Sequence, residues 1–249
     1  MDKYFNISYN NKFIKCKMFY NDLDNIKKVI LSCHGFTSSK DNRTVSLLSS
    51  KVLDKYDDVL IISFDLPGHG SDKSIIDLDE CNNYLDTIIK YIKNNYNGDI
   101  YAQGSSFGGY LFLKYIYENG NPFKKIALRC PAVNMYDALV NNILSREKVD
   151  LLKHEDNIKC FDDSDVVISK KFLSELKKNN ILKYDFSSFS NDILTIHGTC
   201  DNLINHDISK SFCLKNNISF KSIIDCDHRF SNYNDLSSCI DFIISFYNL

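Results

Sequence analysis

Several features that define common protein classes are missing from this sequence. No block of lysines and arginines stands out, and 30 basic against 32 acidic residues leave a net charge of −2, so the electrostatic signature of a nucleic-acid-binding protein is absent. The longest aliphatic run, residues 59–62, is too short to cross a bilayer, and the first ten residues contain no apolar signal region. We therefore expect a soluble, cytoplasmic protein that binds a small molecule rather than nucleic acid or a membrane.

Paired cysteine patterns are also missing. The nine cysteines are an odd number and form no C-x-x-C or Cys/His pattern of the zinc type. Reduced and mostly buried thiols are the expected state. A chain of 249 residues that is 44% hydrophobic and 25% charged is long enough to close a sizeable core, which excludes a disordered, collagenous or disulfide-scaffold protein.

Glycine and proline are scarce, with nine and three residues in the whole chain. Each of these residues is therefore expected where the backbone needs a conformation that other residues adopt poorly. Seven of the nine glycines fall in four short segments, CHGF, DLPGHGS, QGSSFGGY and HGTCD. Each segment follows a run that predicts a buried strand, namely 29–32, 59–64, 100–102 and 193–196. Sharp turns thus gather at strand ends, where open α/β sheets place their active sites.

The order of predicted elements favours an α/β fold. An N-terminal hairpin is followed by strand-like runs that alternate with helical ones, which predicts a mostly parallel sheet covered by helices on both faces. Residues 131–191 break this rhythm with two amphipathic segments around a polar run. We interpret residues 1–130 and 192–249 as the core and residues 131–191 as an inserted cap over a binding site.

The segment 104–108 matches G-x-S-x-G with Ser106 at its centre. In this motif a tight strand-to-helix turn lifts one serine out of the sheet. The match alone is weak, because a turn after a strand can be rich in glycine and serine without any activity. The predicted strand before it and the predicted helix after it favour a catalytic role for Ser106, whereas Ser105 is interpreted as a packing residue.

A serine nucleophile needs a base that is held by a carboxylate. In the order typical of such turns, the acid follows a late strand and the histidine follows the last one. Asp201 and His228 occupy those places, so Ser106, Asp201 and His228 are the predicted triad. The competing side chains are predicted to serve in turns, in structural hydrogen bonds or at the surface; they are Asp225, Asp227, His34, His69, His197, His206 and His154.

A tetrahedral oxyanion also needs two donors, normally backbone N–H groups after the nucleophile and after an earlier strand. Phe107 and Phe36 hold those positions, so their N–H groups are the predicted oxyanion hole. An aromatic lining role for Phe36 is compatible with this.

Together CHGF, FDLPGHGSD, GSSFGG, HGTCDNLI and CDHRF resemble the α/β-hydrolase family, most closely its small capped esterases of the cinnamoyl or feruloyl esterase type and the serine-aminopeptidase-like hydrolases. The resemblance covers nearly the whole chain. It implies an eight-stranded sheet, the triad and oxyanion hole named above, and a small cap. Two positions depart from the family pattern: Ser105 stands where a histidine is common, and Asn205 where a proline often follows the acid loop.

We therefore predict a serine carboxylesterase that needs no cofactor or metal and acts on small, apolar or aromatic acyl esters. Thioesters and aminoacyl amides are the nearest alternative substrates; a ligand-binding protein without activity and a metal-dependent hydrolase are the alternatives from other classes. An apolar stripe in the cap either forms the substrate pocket or packs the cap onto the core. It consists of Met135, Tyr136, Leu139, Val140 and Ile143.

Overall fold

Ten strands and eight α-helices are present in the computed structural model, which describes residues 1–249. The strands are β1 (Asp2–Tyr9), β2 (Lys12–Phe19), β3 (Lys28–Cys33), β4 (Val59–Phe64), β5 (Asp99–Ser105), β6 (Lys125–Arg129), β7 (Asn157–Lys159), β8 (Val167–Ser169), β9 (Ile193–Gly198) and β10 (Ser219–Ile223). The helices are α1 (Arg43–Leu53), α2 (Leu78–Asn95), α3 (Phe107–Asn119), α4 (Met135–Ala138), α5 (Arg146–His154), α6 (Lys170–Lys178), α7 (His206–Lys215) and α8 (Tyr233–Tyr247).

Eight strands form one sheet in the order β1-β2-β4-β3-β5-β6-β9-β10. β2 runs antiparallel to β1 and β4, and the remaining neighbours are parallel. The chain passes from β3 to β4 on one side and then crosses to β5 on the other side of β3. A crevice opens at such a reversal beyond the carboxyl ends of the strands, which is where a ligand binds in open α/β sheets.

The burial pattern explains why the central strands are almost wholly apolar. β4 reads VLIISF and is buried at every position, because helices cover both faces of the sheet. Leu60, Ile62 and Phe64 point into a core shared with α2, α3 and α7, whereas Val59 and Ile61 point into a second core under α1 and α8. None of the helices combines the length and apolarity needed to span a membrane.

Polar side chains fix where several helices begin. Asn42, Asp77, Asn205 and Asn232 stand at the N-caps of α1, α2, α7 and α8, and each accepts a hydrogen bond from a backbone N–H of the first turn. Asn205 is one of the two departures from the family pattern, and its cap gives α7 a defined start without proline.

The segment 131–191 differs in part from its sequence-based prediction. The amphipathic run that begins near residue 136 forms the short α4 and then one π-helical turn, Leu139–Ile143. The polar run and the residues just after it form a two-stranded hairpin, β7 and β8, in which Ile158 and Ile168 are the buried side chains. The segment shares the larger core through the buried residues Leu139, Phe172, Leu176 and Ile181.

Candidate active site

Ser106 lies at the sharp turn between β5 and α3. Its φ of 52° is left-handed, a conformation that costs a non-glycine residue energy and that the surrounding contacts must enforce. The glycines of the motif permit the turn: a Cβ on Gly104 would lie 2.8 Å from the Gly109 Cα, and one on Gly108 would lie 2.3 Å from the Cys33 carbonyl oxygen. The strand, the turn and the helix therefore occur as the motif predicts.

The structure brings Ser106, His228 and Asp201 together. The His228 Nε2 lies 3.1 Å from the Ser106 Oγ, and the His228 Nδ1 lies 2.6 Å from the Asp201 Oδ2. Ser106 follows β5, Asp201 follows β9, and His228 follows the edge strand β10. Hydrogen-bond reach along this line is what proton transfer from a serine hydroxyl to an imidazole requires.

The Asp201 carboxylate is held by four donors. Its Oδ1 accepts from the backbone N–H groups of Leu203 and Ile204 at 2.9 and 2.8 Å. Its Oδ2 faces His228 and, at 3.0 Å, the Nε2 of buried His197. Burial raises the pKa of Asp201, but the hydrogen bonds from the two histidines more than offset this, so the pKa lies well below its usual range. The carboxylate is therefore ionised at neutral pH.

Burial lowers the pKa of His228, the Asp201 carboxylate raises it, and the Arg129 charge lowers it again, with a net pKa below the ordinary value. At neutral pH the imidazole is consequently unprotonated and able to accept a proton. The site is also shielded: Ser106 is 6% exposed and the His228 side chain 12%. Shielding from water strengthens electrostatic interactions within the site.

The predicted oxyanion positions flank the Ser106 turn. Phe107 is the first residue of α3, where the N–H groups have no acceptor within the helix, and the Phe36 N–H has no acceptor within the protein. A Cβ on Gly35 would lie 3.3 Å from the Ser106 Cβ, so the segment after β3 presses directly against the turn. The rings of Phe36 and Phe107 meet edge to face with centroids 6.0 Å apart.

Histidines predicted to be structural are confirmed as such by their contacts. The His34 Nδ1 lies 2.7 Å from the Gly35 carbonyl oxygen, and its Nε2 accepts the Leu66 N–H at 3.1 Å. The His69 Nδ1 lies 2.9 Å from the Pro67 carbonyl oxygen. His154 is exposed, as predicted. His206 starts α7 and contacts Ser222, but its side chain is largely buried against the rings of His197 and Phe220, so its predicted surface position is wrong.

The two aspartates beside His228 have separate structural surroundings. Asp227 accepts from the Ser231 N–H and hydroxyl at 2.8 and 2.5 Å, which stabilises the turn after His228. Asp225 has a left-handed φ of 55° and is exposed. Both therefore have the turn and solvent roles that the sequence predicts.

The apolar stripe of the cap divides into two groups. Met135 and Leu139 are 2% and 0% exposed and belong to the larger core, so they pack the segment onto the body. Tyr136, Val140 and Ile143 are only partly buried, and the Lys177 ammonium lies 5.6 Å from the Tyr136 ring centroid. Residues 131–191 reach the Ser106 turn elsewhere, where the centroid of the Phe172 ring of α6 lies 6.0 Å from that of the Phe107 ring.

Cys130, His197 and Asp201 are close enough for their ligand atoms to surround one ion. Both Asp201 oxygens, however, already accept hydrogen bonds, and His197 also contacts the Ile204 carbonyl at 3.1 Å. Ordinary hydrogen bonding therefore accounts for this cluster. All nine cysteines are free, and eight are buried, with Cys200 exposed, which confirms the thiols expected from the sequence.

Sequence reasoning missed a buried polar group next to Ser106. Arg129 ends β6, is 8% exposed, and donates from Nη1 to the His228 carbonyl oxygen at 2.6 Å. Ser105, predicted to be a packing residue, accepts from the Gln103 amide at 3.0 Å and from the Arg129 Nε at 3.3 Å. The available signal was an arginine that directly ends an otherwise apolar strand, KIALR.

Known proteins share this architecture. A family model described as the alpha/beta hydrolase fold matches residues 28–158. No curated protein matches the chain by sequence. Among solved structures, ferulic-acid-bound Est1E from Butyrivibrio proteoclasticus is similar with a TM-score of 0.77 at 17% identity, over 98% of this chain and 100% of that one.

Two further structures extend this likeness. The esterase domain of a Rhodothermus marinus protein has a TM-score of 0.70 at 18% identity, over 99% of this chain and 97% of that one. A monoacylglycerol lipase from Paleococcus ferrophilus has a TM-score of 0.62 at 15% identity, over 94% and 99%. Since the family model spans more than half of the chain and the sheet carries the expected serine turn, this chain belongs to the α/β-hydrolase family.

Proposed function

We propose that this protein is a serine hydrolase that cleaves carboxylic esters of small, apolar or aromatic acids through an acyl-enzyme on Ser106. The observation that carries the proposal is the continuous hydrogen-bonded line from the Ser106 Oγ through His228 to the Asp201 carboxylate. A binding protein without activity has no need for a left-handed serine aligned with a neutral, carboxylate-held imidazole.

The chemistry follows from these contacts. As the Ser106 oxygen bonds to the acyl carbon, its proton passes to the His228 Nε2, and the imidazolium is stabilised by Asp201. The N–H groups of Phe36 and Phe107 would receive the negative oxygen of the tetrahedral intermediate. When the intermediate collapses, His228 returns the proton to the departing alcohol. Water then attacks the acyl-enzyme with His228 as base, which frees the acid and restores the serine.

The two sides of the site favour different halves of the substrate. Phe36 is partly exposed beside the turn, and its ring packs on buried Phe107, which packs in turn on buried Phe172. This aromatic cluster would suit an apolar or aromatic acyl group. Ferulic acid, which the similar Est1E structure holds, is an acid of this kind.

A polar trough of about 590 Å³ lies next to the site. Thr37, which follows Phe36, and Arg229, which follows His228, are among the residues that line it. Its polar lining combines hydroxyl-bearing residues with charges of both signs; these are Thr37, Ser38, Ser39, Ser164, Lys73, Asp163, Asp165 and Arg229. Since His228 must protonate the departing oxygen, the trough suits a hydroxylated alcohol group.

A fluorophosphonate probe tests the serine directly. The wild-type protein should gain one probe mass, and Ser106→Ala should gain none. Ser231→Ala is the matched control, because Ser231 is an exposed serine three residues after His228 whose hydroxyl donates to Asp227 and not to the triad; it should label like wild type. Labelling of Ser106→Ala would remove Ser106 as the nucleophile.

Substrate class is tested separately with p-nitrophenyl esters of rising chain length, methyl hydroxycinnamates, acyl thioesters and aminoacyl anilides. We expect the ester series to give the highest kcat/KM. Faster turnover of the thioesters or anilides would retain the triad and reassign the substrate class. Glycerol esters should exceed hexanol esters of the same acid if the trough holds the alcohol.

A further inference from the structure

Arg129 joins the serine turn to the histidine loop. Its Nε donates to the Oγ of Ser105, the residue before the nucleophile, and its Nη1 donates to the carbonyl oxygen of His228. Its guanidinium also lies 5.1 Å from the centroid of the buried Phe230 ring, two residues further along the histidine loop. One side chain therefore contacts both halves of the predicted catalytic machinery.

The surroundings of this guanidinium are unusual for a buried cation. Its polar partners are two uncharged oxygens and its third partner is an aromatic ring. A buried charge is costly unless it is paired, and replacement of such groups by apolar residues is often neutral for stability or even stabilising. A contribution to stability alone therefore explains a buried Arg129 poorly. A role in holding or tuning His228 explains why a cation is present at this position.

A relay of polar side chains anchors the other end of this contact. The Ser32 hydroxyl donates to the Gln103 Oε1 at 2.8 Å, and the Gln103 amide donates to the Ser105 Oγ at 3.0 Å. Ser32, Gln103 and Ser105 are all buried, on β3 and β5. Arg129 thus connects the histidine loop, which follows an edge strand, to the rigid centre of the sheet.

We propose that Arg129 is a positioning residue that holds the His228 loop against the serine turn. This inference rests on the proposed function, since it assigns Arg129 a role through His228. Arg129 does not touch the reacting atoms.

The charged groups around His228 set the sign of the electrostatic effect. Asp201 and His197 face it from the acid loop and β9, Arg129 faces it from β6, and Asp227 and Arg229 are its neighbours in the chain. Burial lowers the pKa of His228, contact with Asp201 raises it, and Arg129 and His197 lower it. Loss of the Arg129 charge should therefore raise the pKa of His228 and move the acid limb of activity to higher pH.

Three variants separate geometry from charge. Arg129→Met removes both, Arg129→Lys keeps the charge without the forked contact, and Ser105→Ala keeps the charge but removes the anchor. The control is Lys114→Met, which deletes another buried cation, paired with Glu118 on α3 away from the triad. The pH dependence of kcat/KM for p-nitrophenyl acetate and the rate of fluorophosphonate labelling are measured for each, with urea unfolding as the record of stability.

We expect Arg129→Met to lower kcat by roughly 10- to 100-fold with little change in KM and to shift the acid limb upward. Arg129→Lys and Ser105→Ala should lower kcat less and leave the acid limb in place, and Lys114→Met should change stability alone. If Arg129→Met does not fold, a wild-type labelling rate in both Arg129→Lys and Ser105→Ala would overturn the inference.

Two outcomes separate the role of Arg129 from the proposed hydrolase function on which it rests. A folded Arg129→Met variant with wild-type kcat and an unmoved acid limb would overturn the role of Arg129 while Ser106 still labels. Absence of labelling in the wild-type protein would overturn the proposed function itself.

Discussion

At the scale of single residues, the Asp201 carboxylate decides which nitrogen of His228 carries the proton. Its Oδ2 accepts from Nδ1, so Nε2 is left with the lone pair that faces Ser106. In Asp201→Asn the Oδ1 can still accept the Leu203 and Ile204 N–H groups, but the amide would donate to Nδ1 and reverse the tautomer. We predict that this variant lowers kcat by about 10⁴-fold and keeps its fold.

Steady-state turnover and circular dichroism of Asp201→Asn check this prediction. Asp227→Asn is the matched control, because Asp227 directly precedes His228 in the chain yet accepts from Ser231 instead of the imidazole; it should lose less than about tenfold. Equal losses in the two variants would contradict the assignment of the acid.

The residue scale also shows what a sequence can disclose about a site. Ser106, Asp201 and His228 were predictable because the motif spacing and the strand order restrict each to one place. Arg129 was not, because its role depends on which backbone carbonyl approaches β6 from a loop about a hundred residues later, and no spacing within the chain encodes that approach.

At the scale of elements, α6 supplies the contact between residues 131–191 and the serine turn. Phe172 is fully buried and meets the Phe107 ring edge to face. We predict that Phe172→Leu frees space beside Phe107 and raises kcat/KM for long acyl esters relative to acetate, at a stability cost of about 1–2 kcal/mol.

A series of p-nitrophenyl esters assayed beside urea unfolding tests this effect. Phe123→Leu is its control, since Phe123 is also buried, follows the C-terminal end of α3, and packs on Phe112 and Tyr115 without contact with the Phe107 ring. An unchanged ratio of long-chain to acetate activity in Phe172→Leu would exclude α6 from the acyl side.

Elements of the sheet were predictable and those of the cap less so. α2 occupies residues 78–95, as its apolar periodicity indicates, because one long face is buried. β7 and β8 are three residues each, and only one side chain of each is buried. Such short strands leave no periodicity to detect, and the contacts that stabilise them come from the body of the protein.

At the scale of the whole molecule, buried histidines should govern acid stability. Burial, with smaller contributions from the neighbouring His69 and Lys40, lowers the pKa of His34 from its ordinary 6.5 to about 3. Protonation would also cost the hydrogen bond that its Nε2 accepts from Leu66. In the unfolded chain His34 binds a proton near pH 6.5, whereas in the native protein it stays unprotonated until the pH is much lower. Stability should therefore fall as the pH drops from about 6.5 towards 3, by about 1.4 kcal/mol per pH unit for such a histidine.

Urea unfolding between pH 7 and pH 5 measures this slope in a range where carboxylates contribute little. His34→Gln should have a shallower slope than wild type, and His154→Gln, which changes an exposed histidine, should keep it. A slope that is the same in all three proteins would show that another group is responsible.

The position of His228 has a consequence for the order in which the molecule comes apart. β10 is an edge strand that pairs with β9 alone and exposes most of its residues. Ser106, in contrast, directly follows the central strand β5. Local opening at a sheet border needs less free energy than global unfolding. Heat or denaturant should thus separate His228 from Ser106 first, and molecules that have lost this contact but keep an intact interior should accumulate before the rest unfolds.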